Sequence, residues 1–489
     1  MNSNRASFFE HSGWAQKEFD CIRLGDKRLT KRLIKIADQL SESPELPINN
    51  ACGDWHQTKA AYRFFKNKNV DSEVILTEHR KQSIVRANDY KTILVVQDTS
   101  YVTYSHPKTK GLGLIARNRT FASKNTSESR GLVMHTAMAV TQEGLPIGII
   151  DQKIFSRPER PKLKKGEINK LYRNSIPIEA KESKKWLECL MSTKESFSNS
   201  NTRVITIGDR EADIYELFEL AKSQNSELLV RGSQNRRINK TNLEVRNSGE
   251  PIWPFMKNKS AQGVVEIVIP SQAPSNKVER KAQLEVRFQK FTMNPPTQHL
   301  AMNTKTTNLD LYAIHLSEIA APIEEEKIEW MLLTNIPVVD LDGAIEKLRW
   351  YCLRWRIEIF HKILKSGFRV ESCRLATADR LIRYLQLISI IAWRIFWLTH
   401  LSRHHPSMPC SSILANSEWQ VLYSKVHKTS TPPEIEPTVQ EVTKWIAMLG
   451  GFMGRKNDGA PGPIVLWRGW KRLFDLYEGW NLAKGLSSD

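Results

Sequence analysis

The chain has 489 residues, 40% of them hydrophobic, which is the composition of a globular protein long enough for several folded modules. Lys and Arg number 72 against 53 Asp and Glu, giving a net charge of +19 and a pI near 9.6, a balance suited to a polyanionic partner such as nucleic acid or an anionic membrane surface. The longest apolar run, Leu385 to Leu401, is broken by Gln386 and Arg394; with a mean hydropathy of −0.43 it reads as a buried helix, and no membrane partner is expected.

The opening MNSNRASFFEHSGW lacks the basic start and apolar stretch of a secretory signal, so a cytoplasmic location is expected. From Trp14 to about Asn67 the pattern is helical and basic. LGDKRLTKRLIKIADQL places Leu29, Leu33, Ile36 and Leu40 on one stripe, with Lys27, Arg28, Lys31, Arg32 and Lys35 around it. Strand signals follow at TILVVQDTSYVTY from Thr92, GLVMHTAMAV from Gly131 and GLPIGIIDQKIF from Gly144, and then a lysine-rich loop at 157–170. A helix near 182–195, the strand RVITIG at 203–208, a helix through Leu220 and the strand SELLVRG alternate as in an α/β core. Between about 233 and 329, short alternating segments (VVEIVIP, QLEVRFQKF, LDLYAIHL) read as a mostly β insertion, after which EWMLLTN returns to the core. Two long helical stretches, 341–365 and 377–400, precede a polar linker from Ser402 to about Pro437 and a helical, tryptophan-rich end. The six cysteines at 21, 52, 189, 352, 373 and 410 are scattered, with no Cys-x-x-Cys pair and no disulfide framework.

Three acids stand where chemistry can use them. Asp98 ends the apolar run ILVVQ, and Asp209 ends VITIG just before a helix, the place where open α/β sheets present ligand groups. Glu358 lies on RWYCLRWRIEIFHKILKSGF, and helical steps of three, four and seven put it on one face with Tyr351, Arg354 and Lys365. Two carboxylates on strands and one on a helix can bridge two divalent cations about 3.5–4 Å apart, one activating the attacking oxygen of a phosphodiester reaction and the other stabilising the leaving oxygen. Oxygen-only ligands suit Mg2+, with Mn2+ as a substitute, rather than zinc. Glu211, Asp213 and His361 read as structural neighbours.

The ordered set Asp98, Asp209 and the spacing Tyr351, Arg354, Glu358, Lys365 resembles the Y-R-E-K signature of cut-and-paste DDE transposases of the bacterial insertion-sequence-four type. The likeness extends over LGDKRLTKRL, AYRFFKNKNV, VVQDTS, GDREAD, WMLLTN, RWRIEIFHK and LGGFM. It implies a ribonuclease H-like catalytic core at 71–400 interrupted by the β-rich insertion at about 233–329. A helical DNA-binding domain at 1–70 and a helical dimerisation domain at 401–489 would flank that core. It further implies that Asp98, Asp209 and Glu358 bind the two metals, and that Tyr351, Arg354 and Lys365 hold DNA phosphates. Trp330 would stack on a flipped base, and Lys362 and Arg32 would be further DNA contacts. The expected partners are double-stranded DNA, both the element's inverted repeats and the target, and a second copy of the chain. The expected reaction frees a 3′ hydroxyl, passes through a hairpin at the element's end and joins that hydroxyl to target DNA. The same acids would also serve a nuclease that cuts without joining, and the basic modules alone would serve a repressor with a dead site.

Overall fold

The computed structural model describes residues 13–42, 46–105, 109–119, 126–159, 176–239, 250–269, 280–296, 307–323, 325–455 and 458–486. Most of the expected basic loop, 160–170, lies outside these. The chain divides into two compact units: residues 1–89, 99–159 and 356–489 form the first, and residues 90–98 and 160–355 the second.

The first unit is built on the helix Ala378–His404, which carries 21 buried residues. Its most apolar window is long enough to cross a bilayer, but 89% of that window is enclosed by protein, so it serves as a core helix. Against it pack the helices Lys27–Glu42, Ser72–Ala87, Val439–Leu449 and Pro463–Leu486. Burial of side chains such as Ile388, Ile391 and Phe396 contributes roughly 1.5–3 kcal/mol each. Strands β1 (Thr92–Thr103), β2 (Gly113–Arg119), β3 (Thr126–Thr141) and β4 (Pro146–Phe155) supply this unit's sheet, in which β3 lies between β4 and the distal half of β1. The amphipathic helix Lys27–Glu42 buries Leu33, Ile36 and Leu40 and exposes Lys27, Arg28, Lys31 and Lys35, as its 3.6-residue pattern requires.

Buried charges fasten this unit. Glu18 accepts from Arg86 at 3.0 and 3.1 Å and lies 2.5 Å from His79 Nδ1. The Ile149 N–H donates to His79 Nε2 at 2.9 Å, so Nδ1 carries the proton and donates to Glu18. Burial would raise the Glu18 carboxyl, but Arg86 and His79 outweigh it and hold the group at about 2. Ser83 Oγ stands 3.3 Å from His79 Nε2, an order of groups resembling a hydrolytic triad. Its Oγ donates to the His79 carbonyl, however, and both residues are fully enclosed, so the set is structural.

In the second unit, the first residues of β1 run parallel to β5 (Arg203–Gly208), and β5 runs parallel to β6 (Glu227–Arg231). Short strands β7 (Arg237–Asn239) and β8 (Glu250–Pro251) and the longer β9 (Gly263–Ile269), β10 (Arg280–Met293) and β11 (Leu309–Glu318) precede β12 (Glu329–Thr334). The last pairs antiparallel with both β6 and β11. Trp186, Tyr215, Phe218, Leu228, Val230, Phe255 and Phe291 belong to its apolar core.

Two readings of the sequence need correction, and one helix was not read from it. The stretch 341–365 is not one helix: it divides into Leu341–Leu353 and Trp355–Lys362 and ends in a π-turn at Ile363–Gly367. The Arg354 N–H bonds to the Tyr351 carbonyl and the Phe368 N–H to that of Ile363, so the turns are first tightened and then widened, and uniform helical steps do not apply across residues 351 to 365. The polar linker contains the helix Asn416–His427, started by the Glu418 carboxylate accepting from the Ala415 N–H at 2.8 Å and anchored by buried Trp419 and Leu422. The helix Ser72–Ala87, capped by Asp71, was not foreseen.

Candidate active site

In the second unit, the parallel register pairs Val96 with Ile207. Carried two residues further, it sets Asp98, inside β1, level with Asp209, which directly follows β5. Ile93 to Val96 and Ile205 and Ile207 are fully buried, which makes the strands a rigid base for the two acids. Gly208 is required there because a Cβ on it would fall 2.4 Å from Ala212 Cβ; the tight turn aims Asp209 out of the sheet. Asp209 also begins the short 3-10 turn Arg210–Ala212, accepting from the Glu211 N–H at 2.8 Å.

Burial, and next the negative charge of Asp98, push the Asp209 carboxyl above its ordinary range, against the opposing pull of the Glu211 N–H and of Arg354. Two carboxylates that repel one another in a half-buried place form a site that a cation relieves. Arg354 is 9% exposed and Tyr351 5% exposed. Guanidinium N–H groups of Arg231 and Arg354 donate to the Tyr351 hydroxyl, whose own ionisation is pushed up by burial. The Trp330 ring meets Tyr351 edge-on at 5.5 Å, and the Arg231 guanidinium lies over Trp330 at 5.4 Å. Trp330 is half-buried, so its ring is not a pure core residue. The second unit thus gathers Asp98, Asp209, Tyr351, Arg354 and Trp330. Sequence reading missed Arg231; its only signal was a cation ending a core strand.

Glu358 and Lys362 lie on the helix Trp355–Lys362 and Lys365 on the π-turn; all three belong to the first unit, and Lys362 is exposed. Arg32, in the same unit, donates to the Gln57 side chain at 2.6 Å. His361 is buried 3.5 Å from Thr136 Oγ1. Asp213 accepts from the Ser233 and Gln234 N–H groups and pairs with Arg236 at 2.6 Å, and Glu211 lies 3.7 Å from Lys185; both are structural. None of the six cysteines is joined in a disulfide. Among the described residues no group of three or more His, Cys, Asp or Glu side chains is gathered as a ready metal site. The Asp98 and Asp209 pair nonetheless fits a hard divalent ion in charge and in ligand chemistry.

Three family models match the chain in succession: transposase DNA-binding over residues 11–70, transposase DDE domain over 181–394 and transposase Tn5 dimerisation domain over 390–489. The chain belongs to the DDE transposases. The transposase is therefore an enzyme acting on DNA phosphodiester bonds, it binds DNA and it dimerises. Its α/β core carries the ribonuclease H-like fold of the DDE domain, a family whose members generally use divalent metal ions. The DDE match contains Asp209, Trp330, Tyr351, Arg354 and Glu358 and begins after Asp98; Arg32 falls in the DNA-binding match.

Proposed function

We propose that the chain is a cut-and-paste transposase of the insertion-sequence-four type, with Asp98, Asp209 and Glu358 as its acidic triad. It would bind the inverted terminal repeats of its own element as a homodimer pairing two ends, acting in the bacterial cytoplasm at the nucleoid. The observation that carries the reading is the parallel register of β1 and β5, which continued brings Asp98 beside Asp209, with burial and then the negative charge of Asp98 raising the pKa of Asp209.

Two Mg2+ ions, or Mn2+ in their place, held by the three carboxylates would supply an activated attacking oxygen and a stabilised leaving oxygen. The protein's own groups do the rest. Asp98 and Asp209 stand on buried strands, so their oxygens stay fixed while the phosphate is exchanged. Arg354 offers a planar fork to a non-bridging phosphate oxygen. Tyr351, held by Arg231 and Arg354, keeps that fork oriented and itself contacts the backbone. Lys365, Lys362 and Arg32 are further phosphate contacts. Hairpin formation at the element's end requires sharply bent DNA, and the half-buried Trp330 ring would offer a platform to a flipped base, offsetting unstacking of a few kcal/mol. In this scheme the freed 3′ hydroxyl attacks the opposite strand, the hairpin is reopened, and the same hydroxyl attacks target DNA. The folded modules would follow 1–70 for DNA binding, 71–400 for catalysis with the insertion at about 233–329, and 401–489 for dimerisation.

The test uses duplexes carrying the repeats that flank the gene. Mg2+-dependent end cleavage and, with precut ends, joining to a plasmid are expected, both abolished by Asp98→Ala, Asp209→Ala or Glu358→Ala. Cleavage without joining would replace the transposase by a nuclease. Trp330→Ala is expected to spare nicking and impair hairpin formation; equal loss of both steps would remove the stacking role.

A further inference from the structure

Where the helix Trp355–Lys362 meets the end of Ala378–His404, inside the first unit, positive groups collect without a negative one. Arg356 is half-buried, and its Nη1 lies 3.4 Å from His400 Nε2. The Arg356 Nε is enclosed with no hydrogen-bond acceptor. His400 is 2% exposed, and its Nδ1 is likewise enclosed without a partner. One turn on, the His404 ring stacks on His400 at 6.1 Å. Arg403 is exposed at the rim and donates to the Pro461 carbonyl at 3.0 Å. Among the described residues no carboxylate is found to act on Arg356 or Arg403, and the acid that acts on His404 electrostatically is Glu143. Most guanidinium groups in partly buried places have an anion beside them, because an uncompensated charge there is costly. Here the arrangement lacks it.

We infer that Arg356 and Arg403, with His400 behind them, form an anion site that takes a backbone phosphate of bound DNA, separate from the phosphates served by Arg354 and Lys365. A guanidinium is the side chain suited to a tetrahedral oxyanion, since its donors form a planar fork. Helical spacing turns Arg356 about 200° from Glu358, at about 100° per residue, so the phosphate it holds is not the one being cut. His400 is kept neutral by burial and by Arg356, far below its ordinary range, and so can accept from the guanidinium and orient it. The inference rests on the DNA binding of the family and not on the metal site, and is read without metal or cleavage.

The experiment measures binding of the full-length protein to a random-sequence duplex over a range of salt concentrations, in EDTA. Each phosphate contact contributes about 0.9 to the slope of log affinity against log salt. Arg356→Gln and Arg403→Gln are each expected to flatten the slope by about one contact and to weaken binding severalfold. Arg356→Gln is also expected to melt at or above the wild-type temperature, because a buried uncompensated charge is gone; a merely structural arginine would lower it. Inorganic phosphate should raise the wild-type melting temperature more than chloride at equal ionic strength, and not that of Arg356→Gln. An unchanged slope in both variants overturns the proposal. So does a shift in dimer dissociation with the slope intact, which would make the missing anion a carboxylate of a second copy. Arg403→Gln, at an exposed position, keeps the test open should Arg356→Gln fail to fold.

Discussion

Replacing Glu18 by Gln removes a buried carboxylate that joins the helix Trp14–Phe19 to the helix Ser72–Ala87. Its side chain is 8% exposed and that of its partner Arg86 13%, so solvent screening is weak. The carboxyl stands at about 2 against an ordinary 4.5, and at about 1.4 kcal/mol for each pH unit this amounts to about 3 kcal/mol of folding stability. The folded value is the depressed one, so the contribution is complete above pH 4.5 and disappears as pH falls towards 2. Glu18→Gln should therefore lose about 3 kcal/mol in urea unfolding at pH 7, because Arg86 is left enclosed without its anion. It should also be less sensitive to acid than the wild type between pH 4.5 and 2. A loss below about 1 kcal/mol, or an acid profile identical to the wild type, would refute the assignment of the Glu18, Arg86 and His79 cluster as a fastening of this unit.

The aspartate pair should behave in the opposite way. Asp98→Asn removes the like charge that, with burial, raises the Asp209 carboxyl, so it should abolish cleavage while leaving the metal-free melting temperature unchanged or higher; a clear drop in that temperature would contradict the repulsion. For the raised Asp209 carboxyl the sign is reversed from that of Glu18: the metal-free fold is favoured at low pH and loses that contribution as pH rises past the ordinary 3.8 through the raised value. In Asp98→Asn this loss should shift to lower pH, as read from melting curves in EDTA. Gly208→Ala would place a methyl 2.4 Å from Ala212 Cβ, displacing Asp209; cleavage should fall at least about tenfold with DNA binding intact, and wild-type cleavage would show that the turn tolerates the shift.

What the sequence made legible follows from burial. ILVV and the apolar residues of VITIG could be read as core strands because they are enclosed on both faces; Asp209 directly follows its strand, whereas β1 runs on past Asp98 to Thr103. VVEIVIP, QLEVRFQKF and LDLYAIHL alternate and form β9, β10 and β11. The helix Asn416–His427 was hidden because Ser and Pro flank it and its cap is a glutamate reaching back to Ala415. Arg231 was hidden because its role depends on β6 pairing with β12, which sets Arg231 opposite Leu332 and near Trp330, and no local pattern encodes that pairing. The division of 341–365 into separate turns was equally invisible, since Trp355 to Lys362 continues the same helical periodicity.

The most direct test replaces the divalent ion by Fe2+ and, with ascorbate and peroxide, maps where the protein backbone is cut by mass spectrometry. Cuts beside residues 98, 209 and 358, all suppressed by excess Mg2+ and lost in Asp209→Ala, are expected. Cuts at 98 and 209 without 358 would remove Glu358 from the triad, and cuts confined to other parts of the chain would contradict the site itself.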